Sequence, residues 1–392
     1  MKKNEKKIII NGCEFDSANP LIVAELGTSH NSDIKRAKLM IDAAAGCGVS
    51  CIKVQMVYAD EILHPNTGIV PLPTGDIRLY DRFKSLETSK EFYIEVKNYA
   101  ESLGIIFLCT PFGLKSASLL KEIDPKVVKI ASPELNFTGL LEEVASWEIP
   151  ALLSTGVSRL SDIETAVELF RNNFTTNHTN KHEQEERGEL NSKIINLCLL
   201  HCVTAYPAPE TDYNLRVLPN LASIFGVSAG VSDHSMDPVL VPALAVSMGA
   251  SVIEKHFCLS RNDPGLDDPI ALEPEDFSKM INAVRCASLE GADETIARFS
   301  REKGFEYVEQ ILGSGVKELA PSEAQNYNRT NRSIHALGDI KSGEILKKSD
   351  YAVLRTEKIL RPGLEPCFEK SIEGRTARNF IPAGEGIRFE DI

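Results

Sequence analysis

Eight short apolar runs, each followed by a segment with helical period, set the limits on what this chain can fold into. The runs span residues 21–26, 51–56, 105–110, 127–132, 151–155, 195–202, 230–232 and 252–257. Apolar residues recur at helical spacing over 33–47, 89–103, 114–123, 139–146, 158–171, 215–225, 238–248 and 274–299. Continuous rather than alternating apolar runs mark strands buried on both faces, the pattern of parallel sheets covered by helices. Eight such units predict an α/β fold of the (β/α)8 TIM-barrel type rather than an open sheet. No GxGxxG follows the first strand and no GxxxxGK[ST] occurs, so nucleotide-binding open sheets lose support.

The chain has 392 residues, 43% of them hydrophobic, enough for one large core and a small second one. We expect a barrel over 1–303, a linker over 304–331 and a small β-rich domain over 332–392, where Gly343, Pro362, Gly363, Gly374, Pro382 and Gly384 punctuate short apolar stretches. Residues 57–87 read as a long Pro- and Gly-punctuated loop on the face that carries barrel chemistry. Residues 172–193, polar and without apolar period, read as a solvated insertion on the opposite face. A net charge of −13 argues against a nucleic-acid or anionic-membrane partner. There is no 18-residue apolar stretch, no signal-peptide pattern and no CxxC pair among nine cysteines, which suits a cytoplasmic protein with reduced thiols.

Barrel chemistry collects at the carboxyl ends of the strands. Here those ends carry Glu25, Lys53, Gln55, Thr110, Lys129, Ser132, Glu134, Ser154, Tyr206, Ser232, His234, Glu254 and His256, an unusually polar set for apolar strands. A buried lysine must be paired or hydrogen-bonded. For Lys53 and Lys129 the bland reading is an ion pair with Glu25 or Glu134. The functional reading is an anion clamp in which Thr110, Ser132, Ser154 and Ser232 add hydroxyls. A Schiff base on either lysine is a third. His234 and His256 are either satisfied polar groups or ligands of a divalent metal. Two imidazoles completed by oxygens favour Mn²⁺ or Mg²⁺ over structural zinc. Glu25 and Glu134 suit general acid–base work or charge balance.

The motifs AELGTSHN (24–31), IKVQ (52–55), FLCTPF (107–112), KIASPEL (129–135), LSTG (153–156), LHCVTAYPAP (200–209), SDHS (232–235) and IEKHF (253–257) resemble the sialic acid synthase family. The tail, NRSIHALGDIKSGEILKKSDYAVLR (331–355) and GRTARNFIPAGEGI (374–387), resembles that family's antifreeze-like SAF domain. The resemblance implies condensation of phosphoenolpyruvate with an N-acylated hexosamine aldehyde and water, giving a nine-carbon 2-keto sugar acid and phosphate by C–O cleavage. It implies a phosphoenolpyruvate clamp of Lys53, Thr110, Lys129, Ser132, Ser154, Thr204 and Ser232, and catalytic Glu25, Glu134, His234 and His256. His234 and His256 would hold Mn²⁺ or Mg²⁺, with Gln55, Tyr206, Glu254 and Asp267 on the sugar side. It also implies a domain-swapped homodimer in which an arginine of the tail domain reaches the partner's sugar. Arg355 is the match and Arg361 its rival. GLDDPIAL (265–272) replaces the family's more usual GPDH-type segment, so the acceptor need not be N-acetylmannosamine. A Schiff-base aldolase and a non-catalytic sugar-binding protein are the other readings.

Overall fold

The computed structural model describes residues 6–72, 75–176, 195–357 and 359–392. Its strands in chain order are β1 (Ile8–Ile10), β2 (Cys13–Phe15), β3 (Leu21–Gly27), β4 (Cys51–Met56), β5 (Ile69–Leu72), β6 (Gly75–Arg78) and β7 (Ile106–Pro111). They continue with β8 (Val128–Ile130), β9 (Ala151–Ser154), β10 (Leu197–Cys202), β11 (Ser228–Asp233), β12 (Val252–His256), β13 (Arg332–Ala336) and β14 (Tyr351–Arg355). All eight expected barrel strands are present. They run parallel in the order β3-β4-β7-β8-β9-β10-β11-β12, and β12 closes on β3.

The barrel interior is apolar below and ionic above. Leu21, Val23, Leu108, Leu152 and Val252 fill its lower end, plugged from beneath by Ile8, Ile10 and Phe15 of the β1–β2 hairpin. That hairpin was not expected, because two three-residue strands are too short to show a period. The helices follow local signals. Asp33 caps Ile34–Cys47 by accepting from the N–H groups of Lys35 and Arg36, and Gly48, at φ +89°, ends it. Leu240–Ser247 is buried nearly all round because Ala292–Lys303 packs over it.

Several expectations change. The single helix expected over 274–299 breaks at Gly291 (φ +82°) into Pro274–Glu290 and Ala292–Lys303. The expected linker opens with a further helix, Phe305–Leu312, whose Val308, Ile311 and Leu312 are buried. Its last carbonyls, at Ile311 and Leu312, accept from the N–H groups of Leu215 and Arg216. Residues 57–87 are not a bare loop. They carry helices Ala59–Ile62 and Leu79–Leu86 and the β5–β6 hairpin. Helix Leu160–Thr176 runs into the expected insertion, the rest of which lies outside the described residues.

Among the described residues past 331 the regular ladder is β13 against β14, with Arg332 opposite Arg355. Single bridges (His335 to Gly386, Ile340 to Ile381, Ile345 to Thr376) complete an irregular β unit. Chains cross there at van der Waals contact: a Cβ on Gly363 would lie 2.0 Å from the Ile334 carbonyl oxygen. This unit sits on the mouth of its own barrel. His64 Nε2 lies 3.2 Å from the Leu337 carbonyl, and Asn66 donates to that of Ala383 at 2.9 Å.

A similar close approach inside the barrel yields a test. A Cβ on Gly230 of β11 would lie 2.4 Å from the Val252 carbonyl oxygen and 2.9 Å from Leu200 Cδ2. Backbone cannot yield as a side chain does, so Gly230→Ala should destabilise the barrel by about 1–3 kcal/mol. The expected readout is a lower denaturant midpoint at unchanged slope.

Candidate active site

Parallel pairing puts neighbouring strand ends at one level, and the register stacks acids against bases there. Glu25 of β3 pairs with Lys53 of β4, His256 of β12 with Glu25, and Ser232 of β11 with Glu254 of β12. Lys53 Nζ lies 2.8 Å from Glu25 Oε2 and 2.9 Å from Glu254 Oε1. Lys129 Nζ lies 3.4 Å from the same Glu254 oxygen and donates to Ser154 Oγ at 2.7 Å. Ser232 Oγ donates to Glu254 Oε1 at 2.8 Å. Glu254, assigned to the sugar side by resemblance, therefore sits at the centre of the lysine cluster. Burial alone would raise its carboxyl, but Lys129 and Lys53 hold it well below the usual carboxylate range. Burial outweighs Glu254 in lowering the Lys53 ammonium to about 8.

Around these ions lie unmet polar groups. Thr110 Oγ1, Thr204 Oγ1, Glu134 Oε2 and Glu254 Oε2 are buried without a hydrogen-bond partner among the described residues. Such orphans are rare in finished cores and frequent where a ligand belongs. Ser132 Oγ accepts from the Gly156 N–H at 3.0 Å, and a Cβ on Gly156 would strike Thr204 Oγ1 at 2.3 Å and Ser132 Oγ at 2.9 Å. The expected clamp residues thus converge from β4, β7, β8, β9, β10 and β11.

On the other side of Glu254 the two histidine rings lie 5.4 Å apart, with Tyr206 stacked on His234 at 4.3 Å. His234 Nδ1 meets the Val203 carbonyl at 2.9 Å, so Nδ1 carries the hydrogen and Nε2 keeps a lone pair. Burial and the neighbouring His234 keep His256 neutral by lowering it well below its usual value. Burial opposes a proton on His234, but the Cys202 sulfur 3.8 Å away, the Val203 carbonyl and Asp233 together more than offset it, and a cation at Nε2 would compete with that proton. Asp267 Oδ2 is 3.9 Å from His256 Nδ1. Both imidazoles therefore have ligand chemistry. No group of three or more His, Cys, Asp or Glu among the described residues forms a full metal shell, so water or substrate oxygens would complete it. Glu25, Gln55 and Asp267 meet around Gly27: Gln55 donates to Glu25 at 2.9 Å, and a Cβ on Gly27 would touch all three.

Glu134 departs from expectation. Instead of a lysine it takes two arginines from the C-terminal unit, both on Oε1: Arg332 Nε at 3.0 Å and Arg355 Nη2 at 2.5 Å. Arg355 thus reaches the mouth of its own chain's barrel, whereas Arg361 bonds the Gly386 carbonyl and Asp391 within the C-terminal unit. Arg332 and Cys202 escaped the sequence reading. The signal for Arg332 was an arginine opening an apolar strand, and for Cys202 its place at the end of β10. His201 turns away from the mouth to the Tyr213 carbonyl, and Lys255 pairs with Asp233 at 2.6 Å behind the site.

Known proteins share this arrangement of domains. The NeuB family model matches residues 40–294 and the SAF domain model residues 331–392. The spore coat polysaccharide biosynthesis protein SpsE of Bacillus subtilis is 33% identical, over 98% of this chain and 96% of its own. Its crystal structure superposes with a TM-score of 0.77 over 98% of this chain and 99% of that one, at 30% identity. The N,N'-diacetyllegionaminic acid synthase of Legionella pneumophila is 30% identical over 98% of both chains. An N-acetylneuraminic acid (sialic acid) synthetase from Leptospira borgpetersenii, solved with citrate, is 29% identical with a TM-score of 0.62, over 82% of this chain and 95% of that one. With the family model covering more than half the chain and these relatives nearly all of it, the protein belongs to the NeuB family and carries a C-terminal SAF domain.

Proposed function

We propose that the chain condenses phosphoenolpyruvate with an N-acylated hexosamine aldehyde, N-acetylmannosamine or a 2,4-diacetamido-trideoxyhexose, and with water. The products are a nine-carbon 2-keto sugar acid and phosphate. One observation carries the reading: two buried lysines from different strands share one glutamate, near the unpartnered hydroxyls of Thr110 and Thr204 and beside two ligand-competent histidines. The relatives named above as legionaminic and sialic acid synthases support it.

In this reading Lys53, Lys129, Thr110, Ser132, Ser154, Thr204 and Ser232 bind the carboxylate and phosphate of phosphoenolpyruvate. C3 attacks the aldehyde carbon, whose oxygen takes a proton. Water adds at C2 and gives one up, and the C2–O bond to phosphate breaks. Glu25 and Glu134 are the carboxylates that move those protons, and Gln55, Tyr206, Glu254, Asp267 and Arg355 orient the sugar. His234 and His256 would hold Mn²⁺ or Mg²⁺, which when bound supplies Lewis acidity to the aldehyde oxygen. The charge balance supports such an ion. Glu25 and Glu254 already neutralise Lys53 and Lys129, and Glu134 offsets one of Arg332 and Arg355, so a single net positive charge faces a substrate bearing both carboxylate and phosphate, and a divalent ion would supply the rest. A homodimer that exchanges SAF domains would make the Arg355–Glu134 contact between protomers.

The decisive test is phosphate release from phosphoenolpyruvate against a panel of aldehyde sugars, with Mn²⁺ and then with excess EDTA. The panel holds N-acetylmannosamine, its 6-phosphate and 2,4-diacetamido-2,4,6-trideoxyhexoses. Sugar-dependent, chelator-sensitive release is expected. No phosphate release, with borohydride trapping of a keto-acid adduct on Lys53 or Lys129 that EDTA does not prevent, would mark an aldolase instead. Neither release nor trapping would leave the binding-protein reading.

Lys53 adds a pH signature. Its ammonium, lowered to about 8, is lost as pH rises through that value, and an anion prefers the protonated form. The KM for phosphoenolpyruvate should be flat near neutrality and rise by about tenfold per pH unit well above 8, the slope of one-proton linkage. Arg355→Ala should lower kcat/KM for the sugar by about 10- to 100-fold, the worth of hydrogen bonds to a charged group, and move the phosphoenolpyruvate KM little. Arg361→Ala should cost stability and spare sugar use. The reverse outcome would exchange their roles.

A further inference from the structure

The segment between barrel and SAF domain touches the loops after β9 and β10 in a way that sequence did not foresee. Glu323 is buried, 1% exposed. Its Oε2 accepts from the N–H groups of Val157 (2.9 Å) and Thr204 (2.8 Å), and its Oε1 from that of Ala320 (3.2 Å). The carbonyls of the same two loop residues are met from the same segment. Asn326 donates to Thr204 at 2.9 Å and Asn331 to Val157 at 3.0 Å. Between the two loops, Gly156 brings Thr204 Oγ1 and Ser132 Oγ into contact range. One carboxylate therefore fixes the spacing of the loops that follow Ser154 and Cys202 and carry the Gly156 N–H and Thr204, and it is itself hidden from the mouth.

We propose that Glu323 is a positioning residue for the anion clamp, holding the β9 and β10 loops at the separation that phosphoenolpyruvate requires. The proposal rests on reading the mouth as the phosphoenolpyruvate site. Charge-assisted hydrogen bonds from two loops to one buried carboxylate oxygen are strong and geometrically demanding. Glutamine keeps the size but sets an NH2 group against either the Ala320 N–H or the Val157 and Thr204 pair. A clamp displaced by a fraction of an ångström loses ground-state binding of the anion while the reacting carbons keep their surroundings.

The test uses the full chain with Glu323→Gln and three readouts: steady-state kinetics, calorimetric binding of phosphoenolpyruvate and amide hydrogen exchange. The variant should raise the KM and Kd for phosphoenolpyruvate on the order of tenfold, as expected for losing one charge-assisted contact, with kcat little changed. Exchange should quicken over 155–158 and 202–206 and stay at wild-type rates in the barrel strands. Unchanged exchange at both loops would overturn the proposal, and so would a fall in kcat at constant KM. If the wild type binds no phosphoenolpyruvate, the functional reading fails, and exchange alone still decides whether Glu323 holds the loops. Should Glu323→Gln not fold, Asn326→Ala, which frees only the Thr204 carbonyl, should show the same selective effect over 202–206. Its absence there would equally overturn the proposal.

Discussion

Glu254 Oε1 receives Lys53, Lys129 and Ser232 at once, and the upper half of the barrel depends on that convergence. Taking an ammonium out of water costs several kcal/mol, and only close opposite charge with full hydrogen bonding offsets it. Two lysines against Glu25 and Glu254 form a neutral quartet, so the strands can close around it without a ligand. Neutrality also shapes what the site can do. The lysines are fixed in direction by acids at 2.8–3.4 Å and cannot follow a substrate. Under the proposed function an anion comes to them and exchanges one acceptor for another. Preorganised donors of this kind cost little reorganisation when charge develops.

The same turn that supplies a clamp hydroxyl supplies the contact to the C-terminal unit. Ser132 and Glu134 lie in one 3-10 turn after β8. Ser132 receives the Gly156 N–H below it, and Glu134 receives Arg332 and Arg355 above it. Because β13 and β14 pair with those arginines opposite each other, a single docking event delivers two guanidiniums to one oxygen. Arg332 is fully buried and also bonds the carbonyls of Phe112 and Val353, whereas Arg355 keeps some exposure. Of the two, Arg355 is the one with room to meet a substrate, and Arg332 is the anchor.

The barrel was legible in the sequence because strands buried on both faces read as unbroken apolar runs, and polar residues at their carboxyl ends stood out against them. Lys53, Lys129, Glu254, His234 and His256 were all found that way, and all lie within one shell. What escaped depends on distance along the chain. Glu323 reaches Val157 across 166 residues and Arg332 reaches Glu134 across 198, and neither leaves a local pattern. A segment rich in Gly, Ser and Asn reads as a linker, yet its asparagines are the side chains suited to satisfying irregular backbone at the ends of strands. The partners of Glu134 went unforeseen for the same reason: only Lys53 and Lys129 were weighed for it, while the arginines that pair with it stand 198 and 221 residues further along the chain.

The two halves of the mouth are braced from different directions, and under the proposed function this bears on how the acceptor sugar can vary. The anion side, from β8 to β10, is held by Glu323, Asn326, Asn331 and Arg332, all C-terminal to the barrel. The side near Gly27 and Asp267 is held by N-terminal helices. Arg36 bonds Asp263 at 2.7 Å and the Ser29 carbonyl at 2.6 Å, and Arg82 bonds Asn31 at 2.7 Å and the Pro264 carbonyl at 3.1 Å. Residues 265–272, where this chain reads GLDDPIAL, belong to that second half. Under the proposed function, changes there would reshape the wall facing the sugar, and Asp267, which meets Glu25 around Gly27, is where they would touch the lysine quartet. In that reading, supports drawn from opposite ends of the chain would let the acceptor side vary while the anion side keeps its own.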